Sequence, residues 1–149
     1  MFAIPTTTTS GYLLRLERGG SVLDEIAAFC RDRGVGAAWL TGLGAVEKVE
    51  LGYYDLDARC YQRTRLDGSH ELISLVGNVA QVDGAPFVHA HAALGDRDCR
   101  LRAGHLFAAT VAATVELQLQ PLTGAAVDRR LDPATGLKLL DLAPLDSRP

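Results

Sequence analysis

The sequence predicts an α+β fold in which a largely antiparallel sheet carries one main amphipathic helix. One segment, residues 21–34, repeats its apolar side chains at the helical period. Most of the remaining chain alternates at the period of two that is typical of strands, and these strands are many and short. A sheet rolled into a barrel stays open as a variant of the same class.

The helix is predicted over the segment SVLDEIAAFCRDRG. Ser21 is a residue type that caps helix N-termini, and Asp24 and Glu25 lie in the first turn, where the helix dipole favours negative charge. Gly34 is the expected end, because glycine adopts the left-handed conformation that terminates many helices. The side chains that would face the sheet are Val22, Leu23, Ile26, Phe29 and Cys30.

The strands are expected in the stretches YLLRLERG, AAWLTGLGAV, VELGYYD, HELISLVGNVAQV, PFVHAHAAL and TVELQLQ. The turn-forming residues 83–86, DGAP, should join two strands as a hairpin, and residues 137–142, LKLLDL, should close the sheet. Strict alternation then assigns the faces of each strand. It groups Val49 with Leu51 and Tyr53, and Glu71 with Ile73 and Leu75.

Length and composition predict a single domain over residues 1–149, with a core at about 12–142 and frayed ends at TTTTS and PLDSRP. The formal net charge is −3, from 15 basic and 18 acidic residues. The basic residues are scattered among acidic neighbours, unlike the clustered surface that holds nucleic-acid phosphates.

The cysteines and the apolar runs bear on the compartment. Cys30, Cys60 and Cys99 form no C-x-x-C pair, so a disulfide framework is not expected and a reducing cytoplasm fits better. We find no secretory signal and no apolar run of roughly 20 residues. The expectation is a cytoplasmic protein with no membrane partner.

Two glycines, Gly42 and Gly44, follow an apolar strand and invite comparison with a dinucleotide-binding loop. The third glycine of that motif is missing, and the next residues alternate as a strand instead of opening a helix. These glycines are therefore expected to permit tight turns or close packing.

Three of the four histidines lie in FVHAHAALGDRDCRLRAGHL. His89 and His91 are two apart, so on a strand they share one face at a spacing of roughly 6.5–7 Å. A chain reversal after them can return His105 to the same place. Three imidazole nitrogens are a common zinc ligand set that keeps a fourth position open. Spacing alone leaves two interpretations open, namely a metal site of His89, His91 and His105 or three structural histidines.

Other side chains are weaker candidates. Glu71 is interpreted either as a partly exposed strand carboxylate or as a metal ligand, a group that orients a ligand, or a general base. Cys99 lies in a polar turn, which disfavours it as a ligand, and His70 is interpreted as a surface or sheet residue. Asn78 is expected to satisfy backbone groups or to line a pocket.

Three motifs follow one another: TGLGAVEKVELGYYD, GSHELISLVGNVAQVDGAPFVHAHAAL and AGHLFAATVAATVELQL. Together they resemble the plants-and-prokaryotes-conserved (PPC) domain, which follows the AT-hook in plant nuclear proteins and stands alone in many prokaryotes. The resemblance covers residues 12–142. It implies an α+β fold, a homotrimer, and a metal, usually zinc, held by the H-x-H and G-H-L histidines. These would be His89, His91 and His105.

The chain also departs from the plant members of that family. Their partner-binding segment reads Gly-Arg-Phe-Glu-Ile-Leu, whereas residues 68–73 read GSHELI, which keeps only the glycine and Glu71 in place. The Arg-Gly-Arg-Pro core of an AT-hook, on which minor-groove binding depends, is absent from the sequence. DNA binding is therefore implied by the family description alone.

Three hypotheses about function remain open on the sequence. The first is a homotrimeric binding or assembly domain that holds zinc. The second is a zinc-dependent hydrolase or lyase, in which an open metal site activates water and Glu71 is the candidate base. The third is a DNA-binding regulator, which the net charge does not support.

Overall fold

The computed structural model describes residues 1–6, 11–122 and 127–142, with the backbone alone for residues 2–6. Of the segments expected to fray, Thr6 ends a strand, and the rest of TTTTS and all of PLDSRP lie outside the described residues. The helix α1 spans Val22–Asp32. The described strands are β1 (Phe2–Thr6), β2 (Gly11–Glu17), β3 (Ala38–Asp55), β4 (Cys60–Leu66), β5 (His70–Val82), β6 (Ala85–Gly95), β7 (Leu101–Pro121), β8 (Arg129–Leu131) and β9 (Lys138–Leu140).

Seven of these strands form one antiparallel sheet in the order β1-β2-β7-β6-β5-β3-β4. The two longest strands, β3 with 18 residues and β7 with 21, also pair with each other. The predicted α+β class is confirmed, and the core is made mostly of sheet. The barrel variant considered from the sequence is not found, because the sheet is not a closed barrel.

The helix α1 packs on β6 and β7 through the face that the sequence predicts. Val22, Ile26, Phe29 and Cys30 are buried there. Ser21 stands at the predicted N-cap, but its hydroxyl donates to the Asp24 carboxylate at 2.7 Å and does not accept a backbone N–H. No helix among the described residues is long and apolar enough to cross a bilayer.

The expectation of close packing at the TGLG glycines is confirmed. A Cβ at Gly44 would lie 2.2 Å from the Thr114 carbonyl oxygen, and one at Gly42 would lie 2.8 Å from the Glu116 carbonyl oxygen. Both partners belong to β7, which pairs with β3 here. Glycine is required because the two backbones approach too closely for any side chain.

Strict alternation fails within β5 because a β-bulge interrupts it. Leu72 pairs with Leu94 of β6, and the next pair is formed by Ser74 and Ala93. The extra residue switches the faces, so that Leu72 and Leu75 are both buried while Ile73 is exposed. The predicted grouping of Ile73 with Leu75 is therefore wrong. Tyr53, predicted to share the face of two buried neighbours, is 69% exposed near the end of β3.

The two predicted chain connections have different outcomes. Asp83 and Gly84 both have positive φ values, 53° and 78°, which is the two-residue hairpin turn expected from DGAP. The LKLLDL strand does not close the main sheet. Its residues Lys138–Leu140 pair with Arg129–Leu131 in a separate two-stranded sheet, the β8–β9 hairpin.

Candidate metal centre

Two neighbouring strands bring three histidines together. His89 and His91 lie on β6, two residues apart, and His105 of β7 pairs directly with His91. The predicted return of the chain is therefore confirmed. The next strand on the other side of β6 is β5, where Asn78 pairs with His89.

A tight turn at residues 96–100 sets the register of β6 and β7. The Asp96 carboxylate accepts hydrogen bonds from the backbone N–H groups of Asp98 at 2.8 Å and Arg100 at 2.9 Å. The Arg100 N–H is the main reason why the pKa of Asp96 lies below its usual value. Cys99 has φ 59° in this turn and is exposed, so it acts as a turn residue. The turn thereby determines which residue of β7 meets His91.

The three imidazole rings are mutually close. Their centroids are 5.3 Å apart for His89 and His91, 5.0 Å for His89 and His105, and 5.5 Å for His91 and His105. One ring nitrogen of each lies within 4.8 Å of the corresponding atoms of the other two. His89 and His105 are half-buried, whereas His91 is exposed. The cluster is therefore open to solvent on the side of His91.

Glycines on the adjoining strands allow this close arrangement. A Cβ at Gly77 of β5 would lie 2.4 Å from the His89 carbonyl oxygen. A Cβ at Gly104 of β7 would lie 2.8 Å from the carbonyl oxygen of Gly52 in β3. The strands that carry and flank the histidines can thus approach one another only because no side chain stands between them.

Aromatic side chains surround His105. The centroids of the Tyr61 and Phe107 rings lie 5.0 Å and 4.7 Å from that of His105, and the two rings meet edge to face at 4.8 Å. The Arg63 guanidinium carbon lies 3.8 Å from the Phe107 centroid. The absence of a side chain at Gly52 makes space for the Phe107 ring, since a Cβ there would lie 2.5 Å from that ring. The imidazole is therefore packed on an apolar wall.

Arg129 of β8 reaches across to the histidines. Its Nη2 donates to Asn78 Oδ1 at 2.7 Å and lies 3.1 Å from His89 Nδ1, and its Nη1 donates to the Lys138 carbonyl oxygen at 2.9 Å. Because arginine has donors only, His89 Nδ1 is the acceptor in this contact. Sequence reasoning missed Arg129, which lies 40 positions from His89. Nothing in the local pattern DRRLD distinguishes it from a solvated charge.

The environment favours neutral imidazoles. Burial, then the Arg129 charge and then His91, lower the pKa of His89 from 6.5 to about 4. Burial is also the main cause for His105, whose pKa is lowered to about 4, with smaller effects of His89, His91, Arg63 and Arg129. Both rings are therefore neutral near pH 7, which is the protonation state that binds metals.

Comparison with known protein families identifies the domain. The family model of the Plants and Prokaryotes Conserved (PCC) domain, also abbreviated PPC, matches residues 5–123. The chain belongs to this family. Among curated proteins, none matches the chain in sequence.

Solved structures extend the comparison over nearly the whole chain. A PPC protein from Pyrococcus horikoshii is 35% identical, with a TM-score of 0.85 and 97% of each chain covered. A metal-containing protein from Archaeoglobus fulgidus is 38% identical, with a TM-score of 0.84, and 89% of this chain and 93% of that chain are covered. A Ralstonia eutropha protein provisionally described as DNA-binding is 26% identical, with a TM-score of 0.84 and coverage of 95% and 96%.

The residues of this PPC chain fit a zinc ion. Zinc bound to imidazole nitrogens at about 2.0–2.1 Å holds them roughly 3.4 Å apart, and the ligand nitrogens here already lie within 4.8 Å of one another. His105 Nδ1 is buried and has no hydrogen-bond partner among the described residues, so a metal bond or a bound donor would satisfy it. Imidazole donors suit zinc better than magnesium or calcium, which prefer oxygen.

The other candidates of the sequence stand apart from this cluster. Glu71 is exposed and pairs with Gly95, four positions beyond His91 and thus about 13 Å along the strand. The structure does not bring Glu71 to the histidines. His70 is buried, with Nδ1 3.3 Å from the Gly68 carbonyl oxygen, so this position of the plant partner-binding segment is a packed one.

Proposed function

We propose that this PPC protein is a zinc-binding, homotrimeric assembly module of the cytoplasm, acting as a single domain. The observation that carries the proposal is the convergence of His89, His91 and His105, two of them held neutral by burial. The description of the Archaeoglobus fulgidus protein as metal-containing, at 38% identity, supports it.

The three histidines would hold the metal, and the site would keep a fourth position for water or another donor. A bound zinc ion supplies Lewis acidity, which can polarise a bound ligand. The chain itself contributes an apolar surface, formed by the rings of Tyr61 and Phe107, against which His105 packs. Glu71 lies too far along the sheet from the histidines to act as a general base at the metal. A binding function is therefore favoured over hydrolysis.

Zinc content tests the metal proposal. Purified protein dialysed against Zn²⁺ should hold about one zinc per chain by elemental analysis. His91→Ala should lose at least about 100-fold in zinc affinity, because losing a direct ligand exceeds the 10- to 100-fold effect of losing a group that only supports one. His70→Gln removes the histidine outside the cluster and should keep the metal. Metal-free wild-type protein, or equal zinc in His91→Ala, would overturn the proposal.

An exposed apolar face supports the homotrimer. The strand pairs Thr41 with Val76, and Val76 with His91, align one row of outward side chains that runs from the sheet centre to the histidines. Large apolar residues left half exposed in one patch mark protein contacts. On this side of the sheet they are Leu13 (48%), Trp39 (51%), Leu43 (57%), Ile73 (57%) and Val76 (48%).

Solution mass tests the assembly. Light scattering should give about three times the 15.9 kDa chain mass for wild-type protein. Leu43→Glu places a charge in the apolar face and should give monomers. Leu56→Glu, at a similarly exposed leucine in the β3–β4 turn, should leave the trimer intact. A monomeric wild type, or equal masses for Leu43→Glu and wild type, would contradict the proposal.

DNA binding is the second candidate, favoured by the description of the Ralstonia eutropha protein. The charges speak against it. Arg63 and Arg65 both pair with Glu50, at 3.1 Å and 3.4 Å, and Arg100 pairs with Asp98 at 3.1 Å. We expect no electrophoretic shift of duplex DNA at low salt. A shift that weakens steeply with added salt would instead establish this function.

A further inference from the structure

We propose that a cavity beside the histidines binds a small carboxylate that carries an apolar or aromatic group, with Arg129 as the anchor of the carboxylate. The cavity has a volume of about 220 Å³. One end is formed by Arg129, His89 and His105, and the remaining walls are largely apolar. This inference rests on the proposed zinc site only where it concerns the coupling of the two ligands.

The walls determine the size and the character of the ligand. The aromatic rings of Tyr61, Phe87 and Phe107 line the cavity together with the aliphatic side chains of Leu137 and Leu139 on the β8–β9 hairpin. Pockets for drug-sized ligands have volumes of about 300–1,000 Å³, so this smaller cavity suits a compact molecule. Apolar surface of a ligand that leaves water in such a cavity stabilises the complex. A benzoate-like shape meets both conditions.

The charge of the polar end requires an anion. The residues that line the cavity include Arg129 and Lys138 but neither Asp nor Glu in the described part of the chain. Lys138 Nζ lies 3.3 Å from the Asp83 carboxylate, so its charge is already paired at the surface. Arg129 has no carboxylate partner among the described ion pairs. It is the cation available to a bound ligand.

Arg129 also has unused hydrogen-bonding capacity. Its Nε is buried and has no hydrogen-bond partner among the described residues, a condition that costs free energy until a partner is found. The guanidinium lies beside the Phe87 ring, with its carbon 5.8 Å from the centroid. A planar guanidinium matches a carboxylate through two parallel hydrogen bonds. Phosphate would forfeit more hydration and gain nothing from the apolar walls.

Zinc and the carboxylate should bind cooperatively. His89 Nδ1 now accepts from Arg129 Nη2. A neutral His89 that binds metal through Nδ1 has lost that acceptor, and one that binds through Nε2 carries its proton on Nδ1 and repels the guanidinium. Either way, Arg129 Nη2 loses His89 as an acceptor while it keeps Asn78 Oδ1, and one of its N–H groups becomes available to a ligand. A carboxylate that takes up this group should then bind more tightly to the zinc-loaded protein.

Calorimetric titration with benzoate tests the inference, after the zinc content of each sample has been measured. Zinc-loaded wild-type protein should bind benzoate at least several-fold more tightly than the zinc-free protein and should not bind inorganic phosphate. Arg129→Gln should weaken benzoate binding roughly 10- to 100-fold, the range of a lost charge-assisted hydrogen bond. Zinc should stay bound to this variant, because it retains all three histidines.

Two further variants keep the test decisive. Arg130→Gln removes the adjacent exposed arginine, which pairs with Asp141 at 2.8 Å, and should bind benzoate as wild type does. Arg129→Lys keeps the charge without the planar fork and should fall between wild type and Arg129→Gln. No benzoate binding by protein that holds zinc, equal affinity in Arg129→Gln, or equal binding of phosphate would each overturn the inference. Zinc-free wild-type protein after dialysis would refute the proposed function instead.

Discussion

Replacing Gly77 with alanine should force β5 and β6 apart beside His89. Gly77 is buried and pairs with Ala90 of β6. An added Cβ would lie 2.4 Å from the His89 carbonyl oxygen and 3.0 Å from both the Cα and the Cβ of Ala90. None of these atoms belongs to a flexible side chain that could turn away. The strands themselves must therefore separate, and His89 must move with its backbone.

The expected size follows from overpacking, which costs about 1–3 kcal/mol. At roughly 2–4 °C per kcal/mol for a chain of this length, the Tm of the metal-free Gly77→Ala variant should fall by about 2–12 °C. Zinc affinity should also fall, because His89 is displaced. Gly95→Ala is the matched control, since its Cβ would meet its nearest neighbour, Ile73, at an ordinary 3.5 Å. Scanning calorimetry in EDTA measures the Tm of both variants, and a Gly77→Ala Tm equal to that of wild type would contradict this prediction.

Three further predictions concern ionisable groups and a turn. Burial raises the pKa of Cys30 from 9.0 to about 11. The stability that the buried thiol contributes is therefore intact below pH 9 and is lost as the pH rises toward 11. Denaturant melts at pH 8 and pH 10.5 should show this loss. The depressed pKa values of His89 and His105 act in the opposite direction. Metal-free protein should keep the stability contributed by these two histidines above pH 6.5 and lose it as the pH falls toward 4. Thermal melts measure this dependence, and a Tm that does not change between pH 7 and pH 4 would contradict it. Gly84→Ala places a side chain at φ 78° and should lower stability by about 1–2 kcal/mol in the same melts.

Much of the fold was predictable because it follows from local rules. The helical period of residues 21–34 predicted the buried face of α1, and the Asp83–Gly84 pair predicted the hairpin turn. The β5 bulge was not predictable from the sequence, because only the register with β6 shows that Ile73 is an extra, unpaired residue. The pairing of β9 with β8 was not predictable either, because a strand of three residues carries too little pattern to specify its partner.

The histidine cluster lies between these cases. Spacing placed His89 and His91 on one face, and a polar turn made the return of His105 plausible. The surroundings of the cluster come from distant parts of the chain: Tyr61 from β4, Asn78 from β5 and Arg129 from β8. No local pattern relates these residues to one another.

The α+β class, the amphipathic helix and the three candidate ligands all follow from residue order, because period and turn chemistry act over a few neighbouring residues. The tertiary structure, by contrast, sets how those ligands are buried, and hence why the pKa values of His89 and His105 are lowered to about 4. It also decided that a cavity and Arg129 lie beside them. Arg129 meets Asn78 across 51 positions of chain, and a contact of that separation depends on how strands pack and not on residue order.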